Sequence, residues 1–263
     1  STVLPPERSL TFVERVLHHE RATLVVLLVL TPAFSWLWII VMARDMYGPM
    51  TGASAWMMTT NWDAPHLLLL WAMWSVMMTA MMLPSAAPLI LLYGAAARRS
   101  RQPTARRHTY ALAAGYLAAW TAFSLAATAH QRALASLLLV SPMMEVRSSR
   151  VSAILLVVAG VYQWTPLKHA CLHRCQSPLG FLMAHWRDGR SGAFRVGLEH
   201  GCYCIGCCWA LMLLLFAGGV MNVLVIVVLT AFVVLEKLVP VGRLGARISG
   251  AFLIGAGCWV LLR

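Results

Sequence analysis

Sulfur-bearing side chains are concentrated in three short stretches of this sequence. Five methionines fall within the ten residues from Met73 to Met82. Cysteines occur in HACLHRC, which contains Cys171 and Cys175, and in HGCYCIGCCW, which begins at His200. Thiolates and thioethers are soft ligands that select ions such as Cu(I), and thiolates also bind zinc. The three stretches therefore indicate soft-metal chemistry.

The second cysteine stretch predicts one helix face that carries most of its metal-binding groups. A helix turns by about 100° per residue, and four of the groups fall within an arc of about 100°. They are His200, Cys204, Cys207 and Cys208. Cys202 points elsewhere. Three thiols and an imidazole on one face favour metal or thiol chemistry over simple apolar packing.

The first cysteine stretch contains two pairs with helical spacing. Cys171 and Cys175 are four residues apart, and His169 and His173 repeat this spacing two residues earlier. Residues four apart are neighbours on a helix surface, so each pair shares a face. The two thiols are candidate metal ligands. The alternative is that this basic segment contacts anionic lipid at the membrane surface.

The methionines also form a helical stripe. Met73, Met77 and Met81 fall within an arc of about 80°, and Met78 and Met82 lie beside them. Methionine is more often an adaptable packing residue than a ligand. We expect either a weak soft-metal relay or core packing along this stripe.

Composition indicates that membrane helices position these residues. Hydrophobic residues make up 60% of the 263 residues, charged residues only 11%, and mean hydropathy is +0.73. Soluble proteins average roughly a quarter charged residues. Seven apolar stretches reach or approach the roughly 20 residues of a spanning helix. They cover about residues 23–43, 67–97, 109–130, 151–167, 198–217, 220–236 and 246–262. We expect an all-α polytopic membrane bundle of about seven transmembrane helices.

The basic residues predict how this bundle is oriented. A net charge of +12 could indicate nucleic-acid binding, but the Lys and Arg residues fall in alternate loops. With the N-terminus in the cytoplasm, sixteen of them lie inside and five outside, as the positive-inside rule expects. We therefore predict a cytoplasmic N-terminus, membrane lipid as a partner and no nucleic-acid partner.

The chain divides into a short leader and one membrane domain. Residues 1–22 predict a cytoplasmic interfacial leader, because Thr11 and Glu14 have capping-box spacing before an apolar stripe. Residues 23–263 predict a single multi-pass metal-binding domain. In its last span Gly250 and Gly255 each follow a small residue by four positions, which favours close helix packing. The sequence has no phosphate-binding loop, which argues against an ATP-driven pump.

Several sequence segments, in the order in which they occur, resemble one family of bacterial membrane proteins. They are AMWSVMMTAMMLP, QWTPLKHACLHRCQSP and GLEHGCYCIGCCWALM, followed by GVMN and LEKLVP. Over about residues 65–262 the chain is similar to domain-of-unknown-function family 2182, predicted metal-binding proteins often described as copper chaperones. The resemblance implies copper handling in the bacterial inner membrane. Its matching positions include Met77, Met78, Met81, Met82, Cys171, Cys175, His200, Cys204, Cys207, Cys208, Glu236 and Lys237.

Three functional hypotheses remain open. The first is a Cu(I)-binding protein, not an enzyme, that exchanges copper with a donor or acceptor protein or loads a membrane cuproenzyme. The second is a membrane thiol–disulfide oxidoreductase that uses the CxxC of Cys204 and Cys207. The third is an assembly or accessory subunit of a membrane complex, clamped by a structural Zn(II). The zinc ligands would be Cys171, Cys175, Cys204 and Cys207. Only the copper hypothesis gives the methionines a role.

Overall fold

The computed structural model describes residues 12–48, 62–99, 104–137, 146, 148–239 and 242–262. Within these residues every regular element is an α-helix, so the predicted all-α class is confirmed for them. The helices are α1 (Phe12–Met46), α2 (Ala64–Arg99), α3 (Ala105–Ser136), α4 (Ser149–Gln163), α5 (Pro166–Gln176), α6 (Pro178–His185), α7 (Gly189–Met212), α8 (Leu214–Gly218), α9 (Val223–Leu238) and α10 (Gly242–Leu262).

Five segments of the described chain are long and apolar enough to cross a membrane. They are Ala22–Met46, Ala64–Arg99, Ala105–Ser136, Gly189–Gly218 and Leu244–Leu262. Helices α4 and α5 would add a sixth if the pair, bent by 66°, forms one broken span. The remaining apolar stretch forms α9, whose 16 residues extend about 24 Å, less than a hydrocarbon core of about 30 Å. Seven spans therefore stay a prediction.

Large apolar side chains face outward on the outer helices. Phe34 of α1, Leu224 of α9 and Phe252 of α10 are each at least 65% exposed. Soluble monomers rarely expose contiguous apolar surface on this scale. The outward faces of these helices are therefore suited to contact lipid.

The predicted leader is continuous with the first span. Helix α1 begins at Phe12 and runs unbroken to Met46, through the predicted boundary at residue 22. Residues 1–11 of the leader, including Thr11 of the predicted capping box, lie outside the described residues. The division between leader and membrane domain stays a prediction.

Helices α3 and α7 form a parallel pair in close contact. Gly197 of α7 lies against the backbone of Leu112, and Gly201 lies against Ala119 one or two turns farther along α3. A Cβ atom on either glycine would collide with α3. Small residues allow this close approach in membrane bundles. Because the residue numbers rise together, both helices begin at the same end of the bundle.

Helices α4 and α10 form a second close pair that runs antiparallel. Gly250 lies against Gly160, and Gly257 lies against the backbone of Ala153. The indole of Trp164, just after α4, donates a 3.2 Å hydrogen bond to the carbonyl oxygen of Arg247. The start of α10 therefore meets the end of α4.

These helix directions collect basic residues at one end of the bundle. Leu24 of α1 lines a small cavity with Arg98 of α2 and Arg106 of α3, so the start of α1 lies there too.

The segment from Val146 to Tyr162 runs antiparallel to α7 and α8, because Val146 hydrogen-bonds with Phe216 and Tyr162 contacts Gly206. The end of α4, and with it Arg247 at the start of α10, is therefore directed toward the same end as Arg190 at the start of α7. We call this the basic end.

Candidate metal centre

Cys204 lies at the centre of a buried group of polar side chains. It projects from the middle of α7 and is 1% exposed. The hydroxyl of Tyr116, from α3, is 3.1 Å from its sulfur. The Nζ of Lys237, from α9, donates to the same sulfur at 2.7 Å. Side chains from three helices therefore meet at this one thiol.

Two further thiols of α7 are held along the helix beside Cys204. The thiols of Cys207 and Cys208 donate to the carbonyl oxygen of Cys204 at 3.0 and 2.9 Å. Both side chains are buried. Cys202 is exposed on another side of α7, in the direction that the helical spacing predicts.

Helix α5 adds two thiols to this group. The thiol of Cys175 lies close to the thiols of both Cys204 and Cys207 and interacts with them. The sulfur of Cys171 lies over Gly206, where a Cβ atom would come within 2.7 Å of it. Cys171 also interacts electrostatically with Cys207. Because Gly206 has no side chain, α5 can bring its sulfur atoms against α7. We refer to Cys171, Cys175, Cys204, Cys207 and Cys208 as the cysteine cluster.

Both ends of α5 are fixed by polar contacts. Thr165 caps the helix start, since its hydroxyl accepts a hydrogen bond from the Lys168 backbone. The fully buried Nζ of Lys168 lies 2.8 Å from Oε1 of Glu236 and also contacts the Gln163 side chain. At the other end, Nε2 of Gln176 donates to the Glu236 carbonyl oxygen at 2.8 Å. These contacts tie α5 to α9.

The imidazole of His200 lies one turn before Cys204 and is 3% exposed. Its ring packs edge-on against Phe181 of α6, with ring centres 5.0 Å apart. Among the described residues, Nδ1 has no hydrogen-bond partner. A buried polar atom without a partner is unfavourable by about 1–3 kcal/mol, so a ligand at this nitrogen would offset that penalty.

Lys237 places a positive charge beside the cysteine cluster. The residue is 5% exposed, and its Nζ also donates to the Ser85 hydroxyl at 3.1 Å. A buried ammonium is costly unless a negative group pairs with it. The thiolate form of Cys204 would supply that partner.

A small cavity reaches the cluster from the basic end. It has a volume of about 190 Å³, and its walls include Cys175, His200 and Lys237. Pro178 at the start of α6 and Leu238 at the end of α9 also line it. The cavity therefore joins the cysteine cluster to the helix ends.

The described residues do not contain a preformed metal site. No group of three or more His, Cys, Asp or Glu side chains among them is placed to hold one ion. Cys207 and Cys208 direct their thiols toward a carbonyl oxygen, and Lys237 lies on one side of the Cys204 sulfur. Metal binding by more than two thiols would require these side chains to rotate.

All five predicted methionines of α2 are fully buried. They are Met73, Met77, Met78, Met81 and Met82. Met82 is linked to the cluster through its backbone. Its carbonyl oxygen accepts a 3.0 Å hydrogen bond from the Tyr116 hydroxyl, which also contacts the sulfur of Cys204. Burial fits both hypotheses for these residues, packing and relay.

Sequence reasoning did not identify Tyr116, Ser85 or Gly206 as site residues. Tyr116 precedes Cys204 by 88 positions, and no local pattern joins residues so far apart. Gly206 carried a signal in the sequence, because it lies one turn after Cys202 and directly before the Cys207–Cys208 pair in a cysteine-rich helix. A glycine there indicates close approach of another element.

Comparison with known proteins assigns the chain to a family. A family model described as PpoB2, copper chaperone, matches residues 71–260, more than half of the chain. No curated protein and no solved structure matches it. The matched range includes the cysteine cluster, His200 and the methionines of α2. Its description points to a copper-related, non-catalytic role. The chain belongs to the PpoB2 copper chaperone family.

Proposed function

We propose that this protein carries Cu(I) in the bacterial inner membrane and exchanges it with a donor or acceptor protein, or with a membrane cuproenzyme. The cysteine cluster is the principal binding site, and His200 is an additional ligand. The observation that carries the proposal is that thiols of α5 reach the buried thiols of α7, since Cys175 lies against Cys204 and Cys207. Membership in a copper chaperone family supports the choice of metal.

The arrangement of the thiols favours Cu(I) over Zn(II). Structural zinc usually takes four ligands in a tetrahedron, and the described side chains are not arranged in that way. Cu(I) is soft and accepts as few as two thiolate ligands. The contact between Cys175 and Cys204 already brings two thiols together from different helices. A copper ion could therefore bind here with small side-chain rotations.

Copper enters or leaves this site through the cavity at the basic end. Cys175 and His200 line the cavity, so one thiol of the cluster and one nitrogen ligand face it. We place the basic end in the cytoplasm, as the positive-inside rule indicates. A copper-exchanging partner would then dock on the cytoplasmic side.

The methionines of α2 form a weaker relay that extends from the cluster toward the opposite end. Met73 and Met82 are separated by about 13.5 Å along the helix axis. Neutral thioethers bind Cu(I) less strongly than thiolates, so affinity would rise toward the cysteines. The proposed topology has seven crossings, in which α4 with α5 makes one span and the short α9 makes another.

The first test measures metal content and affinity. Protein purified anaerobically in detergent is titrated with Cu(I) and with Zn(II) in competition with chelators. We expect about one copper per chain in the wild type. We expect that copper to be lost when Cys204, Cys207 and Cys208 are all replaced by Ser. The exposed Cys202 and Cys258 supply the matched control, because Cys202→Ser with Cys258→Ser should retain the copper.

The other outcomes separate the competing functions. Tight zinc with weak copper would favour a structural zinc clamp. No bound metal, together with a disulfide between Cys204 and Cys207 at biological potentials, would favour a thiol–disulfide oxidoreductase. Unchanged copper binding in the triple variant would exclude the cysteine cluster as the site.

A further inference from the structure

A wide groove opens at the basic end, between α5 and α10. Its volume is about 1110 Å³. Helix α5 bends away from α4 by 66°, whereas α10 continues alongside α4 through the contact of Gly160 with Gly250. The bend therefore separates α5 from α10 and leaves a wedge between them, with Trp164 at its apex.

Helix α5 presents different chemistry to the groove and to the cysteine cluster. His169 and His173 line the groove. Cys171 is 8% exposed and lies on α7. A separation of two residues turns a helix by about 200°, so the histidines and the cysteines occupy opposite faces. The HACLHRC motif thus serves two separate surfaces.

The groove carries hydrogen-bond donors and positive charge. Arg247 contributes an exposed guanidinium, and His173 contributes an exposed imidazole. Lys168 points away from the groove and is paired with Glu236. Among the described residues that line the groove, none is Asp or Glu. A guanidinium matches the oxygen atoms of a phosphate group in charge and geometry.

Exposed apolar side chains continue from this polar groove along the neighbouring helices. Ile248 and Phe252, next to the groove residues of α10, are 62% and 74% exposed. Leu167 at the start of α5 is 60% exposed, and Trp164 is 49% exposed. Tryptophan at such a boundary is typical of the membrane–water interface. The surface is therefore polar at the bundle end and apolar beside it.

We propose that this groove binds the headgroup of an anionic glycerophospholipid. Arg247 and His173 bind the headgroup phosphate, and the acyl chains lie along Ile248 and Phe252. A free phosphate ion would make no favourable contact with these apolar side chains, so the apolar flank favours a lipid. The proposal does not depend on copper binding, since the two surfaces lie on opposite faces of α5.

The test compares lipids of different charge on the purified full-length protein. Phosphatidylglycerol or phosphatidylcholine is titrated into protein in an uncharged detergent, and bound lipid is counted by native mass spectrometry. We expect phosphatidylglycerol to bind more tightly than phosphatidylcholine. Arg247→Gln should weaken phosphatidylglycerol binding about tenfold, because a hydrogen bond to a charged group is lost. His173→Gln should weaken it less.

Matched controls distinguish this site from general charge attraction. Arg190, exposed at the basic end but outside the groove, is replaced in Arg190→Gln, which should retain wild-type lipid affinity. Equal losses in Arg190→Gln and Arg247→Gln, or equal binding of the two lipids, would overturn the proposal. Inorganic phosphate that displaces the lipid at low millimolar concentration would also overturn it in favour of a soluble anion. The circular-dichroism spectrum and thermal unfolding midpoint of Arg247→Gln in detergent should match those of the wild type, which shows that the variant is folded.

Discussion

Two lysine side chains are buried near the basic end, and each has a different partner. Lys168 pairs with the Glu236 carboxylate at 2.8 Å, and Lys237 contacts the sulfur of Cys204 at 2.7 Å. Because Glu236 pairs with Lys168, the adjacent Lys237 can direct its charge to the thiol. One pair fixes α5 in place, and the other adjoins the cysteine cluster.

The ion pair of Lys168 and Glu236 makes a direct stability prediction. Glu236→Gln should lower the free energy of unfolding by about 3–5 kcal/mol, because it leaves a buried ammonium without its counter-charge. Replacing both residues, Lys168→Met with Glu236→Leu, should recover much of this loss, since no charge then remains buried. Denaturant unfolding in detergent, followed by circular dichroism, measures both effects.

An exposed ion pair supplies the control for that prediction. Arg187 and Glu199 lie 2.7 Å apart, with side chains 45% and 32% exposed. Water screens such a pair, so Glu199→Gln should change stability by less than about 1 kcal/mol. Similar losses for Glu199→Gln and Glu236→Gln would mean that burial of the Lys168 pair has no special effect.

At the scale of helices, glycine decides which elements pack closely. The sequence suggested Gly250 and Gly255 of α10 as close-packing residues. The structure places Gly250 against Gly160, but nothing lies within 4 Å of a Cβ atom at Gly255. Gly197 and Gly201 of α7 have the same four-residue spacing and pack against α3. Four-residue spacing therefore identifies candidate glycines for close packing, and the position of the neighbouring helix determines which of them make a close contact.

Because Gly197 is in close contact with a neighbouring helix and Gly255 is not, replacing each by alanine should have opposite effects on stability. Gly197→Ala should destabilise the protein by about 1–3 kcal/mol, because the added methyl group would overlap the α3 backbone. Gly255→Ala should be neutral or stabilising by up to about 1 kcal/mol, since alanine is the better helix former. Thermal unfolding in detergent compares the two variants. Equal stability of the two would contradict the close contact of α3 and α7.

The bend between α4 and α5 was not predicted, although its signal was present. The apolar run at 151–167 suggested one continuous span, but α4 ends at Gln163 and α5 begins at Pro166. Thr165 followed by Pro166 is a typical helix start, with a capping side chain and a proline at the first position. Helical periodicity predicted that the imidazole and three thiols of α7 share one face. It could not predict that α5 packs on α7, because this depends on the bend that Thr165 and Pro166 introduce.

For the whole molecule, composition was sufficient to predict helices that suit a membrane, but not how many of them cross it. The number depends on α9, which is short, and on whether α4 and α5 form one broken span. The meeting of Tyr116, Cys204 and Lys237 depends on how α3, α7 and α9 pack. Contacts between residues that are far apart in the sequence produce no local sequence pattern, so they could not be predicted from it.

The arrangement of helix ends leads to a topology prediction. Helices α3 and α7 are parallel, so Arg190 at the start of α7 and Leu137 just after α3 lie at opposite ends of the bundle. Both residues are exposed. If the basic end is cytoplasmic, Leu137→Cys should react with a membrane-impermeant maleimide on intact bacterial cells. Arg190→Cys should react only after permeabilisation, because its thiol faces the cytoplasm.

Labelling is measured above that of the wild-type chain, whose exposed Cys202 and Cys258 set the background. The reverse pattern, with Arg190→Cys labelled on intact cells, would place the basic end outside. The cavity that contains Cys175 and His200 would then open to the cell exterior, and copper would be exchanged with a partner there. Labelling of both variants on intact cells would mean that the two ends are not separated by a membrane. This experiment therefore decides on which side of the membrane the proposed copper exchange would take place.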